Sequence, residues 1–129
     1  MTIRRTAVLA TAPLGAAPLA VLALSTPAVA DGVGSGRPCS GSTIKLSAEK
    51  DDRRIEVEAD VDGVRGSDRW RLTLKQNGRT FANVVRRADD DRDIDVDRDR
   101  PDTRGKDTFT FTATRLATGN SCTVKVVLR

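Results

Sequence analysis

Residues 69–85 read RWRLTLKQNGRTFANVV, and they carry the clearest fold signal in this chain of 129 residues. Positions 70, 72 and 74 are apolar and alternate with polar positions, which is the period of a β-strand with one buried face. Asn77-Gly78 follows, and this dipeptide strongly favours a two-residue β-hairpin turn. Such a turn places Leu74 opposite Phe81 on the apolar face. The segment therefore predicts two antiparallel strands.

The same two-residue alternation recurs along the chain, and no segment keeps a helical period. Gly119-Asn120 suits a second two-residue turn, of type II′, which pairs Phe111 with Leu128. The pattern predicts an all-β fold, a seven-stranded antiparallel two-sheet sandwich of immunoglobulin or fibronectin type III kind, with a Greek-key barrel as the alternative. The predicted strands cover residues 44–47, 55–61, 70–75, 81–85, 93–97, 109–114 and 122–129.

The first thirty residues have the features of a secretory signal peptide. Arg4-Arg5 precedes an apolar stretch at 7–24, and Ala28-Val29-Ala30 forms a small-x-small cleavage site before Asp31. We therefore expect residues 1–30 to be a signal peptide, 31–38 a Gly/Ser-rich flexible lead-in, and 39–129 one sandwich domain. The expected location is extracellular. No later apolar run could span a membrane, so we expect no membrane contact after signal removal.

The charges of the mature chain nearly cancel, because residues 31–129 hold 20 basic and 18 acidic side chains. Arginines and aspartates are interleaved along the sequence, so no clustered basic stripe indicates a nucleic-acid partner. Only 22 of these 99 residues are Ile, Leu, Val, Phe or Trp, which predicts a small core. Cys39 and Cys122 are expected to form an internal disulfide that supports it; two free thiols or an intermolecular bridge are the alternatives.

The sequence has few of the side chains that enzyme active sites commonly use. The chain has no His and no Tyr, which removes Ser-His and Cys-His nucleophile systems and ordinary zinc sites. Glu56, Glu58 and Asp60 lie in phase on one predicted strand, where an exposed surface is favoured over a glycosidase carboxylate pair. We expect no enzyme, no catalytic residue and no cofactor.

An acidic run at residues 89–99 is the one segment that invites a metal interpretation. Asp93, Asp95 and Asp97 are the candidate calcium ligands, although the spacing of the run does not match an EF-hand loop. On a strand these carboxylates form a row at intervals of about 7 Å. The favoured interpretation is a solvated strand face whose charges discourage edge pairing. No metal site is expected, and weak calcium binding is the alternative.

Four segments resemble small secreted hypothetical proteins of high-GC Gram-positive bacteria. They are Cys39-Ser40-Gly41-Ser42, residues 54–58 (RIEVE), residues 69–72 (RWRL) and Cys122-Thr123-Val124. The excess of arginine over lysine, 15 to 5 after residue 30, suits such a genome. The resemblance implies a sandwich of the immunoglobulin or fibronectin type III kind and brings no activity with it.

These observations favour a secreted, non-catalytic β-sandwich, a binding or structural module. Its partner is expected to be an extracellular protein or an envelope component, and the chain itself is expected to be a monomer. The first alternative is a small secreted hydrolase inhibitor, for which Arg100-Pro101 and Arg65-Gly66 are the candidate reactive bonds. The second is a calcium-dependent binding module.

Overall fold

The computed structural model describes residues 32–129 and the single residue Gly15. The predicted signal peptide and its cleavage junction lie outside the described residues. All eight elements in this part of the chain are β-strands, separated by short turns and loops. They are β1 (Gly32–Cys39), β2 (Ser42–Asp51), β3 (Arg54–Asp62), β4 (Arg69–Gln76), β5 (Arg79–Arg87), β6 (Ile94–Pro101), β7 (Asp107–Arg115) and β8 (Ser121–Leu128).

The strands form two four-stranded sheets that pack against each other. Sheet A has the order β1-β2-β3-β6, and sheet B has the order β5-β4-β7-β8. Every neighbouring pair is antiparallel. In immunoglobulin nomenclature, β2, β3 and β6 take the places of A, B and E, and β5, β4, β7 and β8 those of C′, C, F and G. The predicted sandwich is confirmed, with eight strands instead of seven; two open sheets form instead of the alternative Greek-key barrel.

The extra strand is β1, and it corrects the prediction that residues 31–38 are a flexible lead-in. Its eight residues all pair with β2, from Gly32 opposite Glu49 to Cys39 opposite Ser42. A tight turn at Ser40-Gly41, with φ of 49° and 80°, folds the two strands together. Backbone hydrogen bonds need no side chains, so a glycine-rich segment can join a sheet without showing the apolar alternation on which the prediction relied.

The β4–β5 hairpin has the predicted turn but not the predicted register. Asn77-Gly78 adopts φ values of 50° and 83°, as a type I′ turn requires. A bulge then shifts the register, so that Leu74 lies opposite Ala82 and not opposite Phe81. The shift also moves Asn83 to the exposed face, opposite Thr73. Exposure of this amide avoids the cost of burying it without a partner.

The β7–β8 connection is longer than predicted. A loop of several residues replaces the two-residue turn at Gly119-Asn120, and the Gly119 amide donates to the Arg115 carbonyl oxygen at 2.8 Å. Phe111 consequently faces Val124 instead of Leu128. The register differs by four residues, an even number, so the same side chains still face the core.

The core between the sheets consists of the inward side chains of both. Trp70, Phe109 and Phe111 are its largest buried members, each at most 1% exposed. Phe81, also predicted to be core, is only partly buried and packs edge-on against Phe109 with ring centroids 6.3 Å apart. The apolar phase of the predicted strands is therefore the buried phase, except in β5, where Val85 lies opposite the outward Arg71 and Val84 packs against the core instead.

The predicted disulfide between Cys39 and Cys122 is confirmed, with Cα atoms 5.9 Å apart. Cys39 ends β1 at one edge of sheet A, and Cys122 lies near the start of β8 at one edge of sheet B. The bond therefore joins the two sheets along one side of the sandwich. Disulfides are typical of proteins that fold in an oxidising compartment. Among residues 32–129, no helix is long and apolar enough to cross a membrane.

Candidate functional surfaces: two sheet faces of opposite charge

The fold separates charges that are interleaved in the sequence. Alternate residues of a strand point to opposite faces of its sheet, so each sheet presents one set of side chains to solvent. Most charged residues on the outward side of sheet A are acidic, and all charged residues on the outward side of sheet B are basic. The cations are dispersed along the sequence, and this dispersion argued against a basic stripe. On the folded protein they are not dispersed in the same way, because strand pairing brings several of them to one surface.

The acidic face is the outward surface of sheet A. Its centre consists of three directly opposed carboxylate pairs between β3 and β6, and like charges in this position are destabilising. No salt bridge among residues 32–129 involves any of these six side chains, and the nearby Lys45 pairs with Asp62. The pairs are Glu56–Asp99, Glu58–Asp97 and Asp60–Asp95, and the outward side chain of Glu49 on β2 extends the face.

Two carboxyl groups at the centre of this face have pKa values above the ordinary range. Desolvation by burial, followed by the charges of Asp97, Asp95 and Glu56, raises the pKa of Glu58 above its ordinary value. Desolvation by burial, followed by the close approach of Asp95 and the negative charges of Glu58 and Asp62, raises the pKa of Asp60 to about 7. Asp60 Oδ1 is buried and has no hydrogen-bond partner. The crowding of like charges is thus an electrostatic cost to the isolated chain.

The three candidate calcium ligands do not converge. Asp95 and Asp97 are exposed on the acidic face, two residues apart on edge strand β6. Asp93 precedes that strand, and its amide donates to Asp89 Oδ1 at 3.1 Å. Within residues 32–129, no group of three metal-ligating side chains is placed to hold an ion. Only Asp95 and Asp97 form a row on the strand, and Asp93, expected to continue that row, lies outside β6.

The basic face is the outward surface of sheet B. Its five cations are all exposed, and no outward residue of this sheet is a carboxylate. Hydroxyl groups fill the space between them: Thr112 and Thr123 hydrogen bond at 2.9 Å, and Thr114 and Ser121 at 2.6 Å. The cations are Arg69, Arg71 and Lys75 on β4, Arg87 on β5 and Lys125 on β8.

A buried polar network holds the β6–β7 loop at one end of the sandwich. Asp107, only 1% exposed, accepts hydrogen bonds from Gln76 Nε2 at 3.0 Å, Asn77 Nδ2 at 3.0 Å and Thr103 Oγ1 at 2.6 Å. The Thr103 amide also donates to its carboxylate, at 3.1 Å. Burial raises the pKa of Asp107, but these hydrogen bonds lower it by more, so the carboxylate stays ionised. The network organises the loop.

Arg100, one of the two candidate inhibitor residues, is occupied by contacts within the chain. Its guanidinium lies 4.5 Å from the centroid of the Phe81 ring, and its Nε donates to Gln76 Oε1 at 3.0 Å. It lies within β6 and is partly buried, so it is not presented on a free loop. Arg65 is exposed in the connection between β3 and β4.

Sequence reasoning missed the charge separation, although part of its signal was available. The acidic phase of residues 55–61 and of 94–97, and the basic phase of 69–75, are both visible in the sequence. The sequence does not show that the first two segments pair with each other while the third joins another sheet. No family model matches the chain, and no curated protein or solved structure is significantly similar to it.

Proposed function

We propose that this chain is a secreted, non-catalytic binding module whose basic face holds an anionic component of the extracellular space or the cell envelope. The observation that carries the proposal is the segregation of charge, with five exposed cations and no carboxylate on the outward side of sheet B. Lys and Arg pair with phosphate and carboxylate groups, and Arg binds them through two hydrogen bonds at once. An extended polyanion is the ligand class that matches this surface.

The geometry of the basic face supports an extended ligand over a small one. The cations lie on regular strands, so their backbone positions are held by the sheet and spaced along it. Rows of threonine hydroxyls between them supply neutral hydrogen-bond donors and acceptors. Exposed ion pairs contribute about 0.2–1 kcal/mol each and weaken with salt, so affinity comes from several contacts along one polymer.

Secretion is part of this proposal. Its support is the signal-like segment at residues 1–30 together with the Cys39–Cys122 disulfide. Mass spectrometry of the protein recovered from culture medium is expected to show a chain that begins at Asp31. Recovery of material that still begins at Met1 from the medium would contradict cleavage at this site.

The binding test uses linear inorganic polyphosphate and poly-glutamate as probes, with duplex DNA as a third polyanion. The basic-neutral variant carries Arg69→Gln, Arg71→Gln and Lys75→Gln. At about 0.5 kcal/mol for each lost pair, we expect polyphosphate or poly-glutamate affinity at low salt to fall about tenfold. A matched control, Arg65→Gln/Arg104→Gln/Lys106→Gln, removes three exposed loop cations outside the basic face and is expected to bind as the parent does.

Two results would count against the proposal. Absence of binding to either polymer at low ionic strength removes its basis, and an equal loss in the control variant shows that net charge, not the basic face, controls binding. Equal affinity for duplex DNA would contradict the expectation that nucleic acid is not a partner.

A further inference from the structure

We propose that copies of this chain associate head to tail, with the acidic face of one molecule stacked on the basic face of the next. The two faces lie on opposite sides of the sandwich, because each is the outward surface of one sheet. The proposed function assigns an extracellular or envelope component to the basic face. This inference goes beyond it, because the partner on the acidic face is a second copy of the chain.

Charge complementarity carries the first step. The outward strand positions of sheet A hold nine carboxylates and only two cations, Arg54 and a lysine, Lys45, that already pairs with Asp62. The basic face presents five cations, none of which forms a salt bridge within residues 32–129. One molecule therefore carries both halves of a complementary pair, and every copy supplies them at equal concentration.

Repulsion among the unpaired carboxylates favours stacking. Glu58 and Asp97 face each other across β3 and β6 with no cation between them. Cations brought by a neighbouring molecule would relieve the repulsion that the isolated chain sustains. The raised pKa of Glu58 has neighbouring negative charges among its causes, consistent with this repulsion.

The shape of the acidic face also suits a long cationic side chain. The outward positions of β1 opposite Glu49, Ser47 and Lys45 are glycines. Without side chains there, an open groove of about 450 Å³ runs past Ser47 to Lys45 and Asp60. We assign this groove to an arginine or lysine from the basic face of the neighbouring copy.

The size of the faces sets the strength of the contact. Four strands about 4.8 Å apart and about 26 Å long give a face of roughly 500 Å², hence roughly 1,000 Å² buried in total. Stable interfaces bury about 1,200–2,000 Å². The contact is therefore weak and sensitive to salt, whose screening length is about 8 Å at physiological ionic strength.

The two faces differ, so the contact is heterologous and does not close as a two-fold dimer. Repetition adds molecules at both ends of a linear stack. A linear stack can be distinguished from binding of an unrelated cationic partner. Such a partner would occupy the acidic face and leave the protein monomeric by itself.

The experiment is sedimentation velocity on the purified protein at 20 and 500 mM salt over a range of concentrations. We expect a sedimentation coefficient that rises with concentration at low salt and a monomer at high salt. An acid-neutral variant, carrying Glu56→Gln, Glu58→Gln, Asp97→Asn and Asp99→Asn, is compared with the basic-neutral variant. Each is expected to be monomeric alone, because each retains one functional face.

An equimolar mixture of the two variants gives the sharpest result. One complementary pair of faces remains between them, so assembly is expected to stop at a one-to-one heterodimer. The control Asp90→Asn/Asp91→Asn removes exposed carboxylates outside the acidic face and is expected to stack like the parent. Circular dichroism establishes that all variants are folded.

A monomeric parent at low salt and millimolar concentration overturns the inference. So does a mixture that stays monomeric, or an acid-neutral variant that still assembles. The proposed function is tested independently of the stacking. The acid-neutral variant keeps its basic face and is expected to bind polyphosphate as the parent does.

Discussion

Loss of the Cys39–Cys122 bond is expected to leave this domain marginally stable. The bond joins residues 83 positions apart, and closing a loop of that length restricts the unfolded chain by about 4.5 kcal/mol in the chain-entropy model. Measured losses for native disulfides of small secreted domains are about 2–5 kcal/mol. The whole stability of a domain is about 5–15 kcal/mol, so the loss is a large fraction of it.

The position of the bond adds a local effect. Strand β1 pairs with one neighbour only, at the edge of sheet A, and contains three glycines that contribute no side chain to the core. Without Cys39 tied to Cys122, β1 keeps its hydrogen bonds to β2 but loses its covalent link to sheet B. We expect β1 to exchange its amide protons well before the central strands do.

The assay is thermal denaturation of Cys39→Ala/Cys122→Ala, followed by circular dichroism, with hydrogen exchange measured strand by strand. At roughly 4–8 °C per kcal/mol for a domain of this size, the melting temperature is expected to fall by more than about 10 °C. Reduction of the parent is the matched control and is expected to have the same effect. An unchanged melting curve, or two titratable thiols in the native protein, would refute the reasoning.

Three further predictions concern single positions. Asp107→Asn is expected to cost about 2–4 kcal/mol in urea denaturation, because a buried carboxylate that accepts four hydrogen bonds is lost, whereas the more exposed Asp102→Asn changes little; equal costs would contradict this. The pKa of Asp60 is about 7 in the folded protein, above that of an unfolded aspartate, so its contribution to stability is present at acid pH and lost as pH rises through 7. Asp60→Asn is therefore expected to raise the melting temperature by about 2–5 °C at pH 8 and by much less at pH 4 in calorimetry, and an equal rise at both values would disprove it. Gly78→Ala, at φ 83°, is expected to cost about 1–2 kcal/mol; Gly34→Ala, which meets no atom closer than 3.7 Å, is expected to be near neutral, and no difference between the two would argue against the turn.

The sandwich and its core were predictable because side-chain alternation is a local property. Each predicted strand coincides with an observed one, except that Asp93 and Arg129 lie just outside β6 and β8, and Trp70 and Phe111 are buried as their phase required. The register of the β7–β8 hairpin was predicted wrongly by four residues, yet the core composition stayed correct. Parity alone decides which face a side chain takes, so an even error leaves the faces unchanged.

Strand β1 and the β5 bulge were not predictable from the same signal. The glycines of β1 show no apolar alternation, and its place in the sheet depends on backbone hydrogen bonds to β2. The bulge near Phe81 depends on the balance between hydrogen-bond register and burial of Asn83, which involves two strands at once. Neither balance is visible in one segment alone.

Outside β1 and β5, the sequence by itself determined which strand residues face solvent. It also determined that the two cysteines are available to pair and that His and Tyr chemistry is absent. Only the tertiary structure decided which solvent-facing rows become neighbours. Glu58 and Asp97 are 39 positions apart and meet because β3 pairs with β6, while Arg71 lies in the other sheet. The two-residue period of a single strand decides which face of the sheet a side chain takes. The order of the strands decides the charge of each surface, and that order depends on contacts between residues distant in the chain.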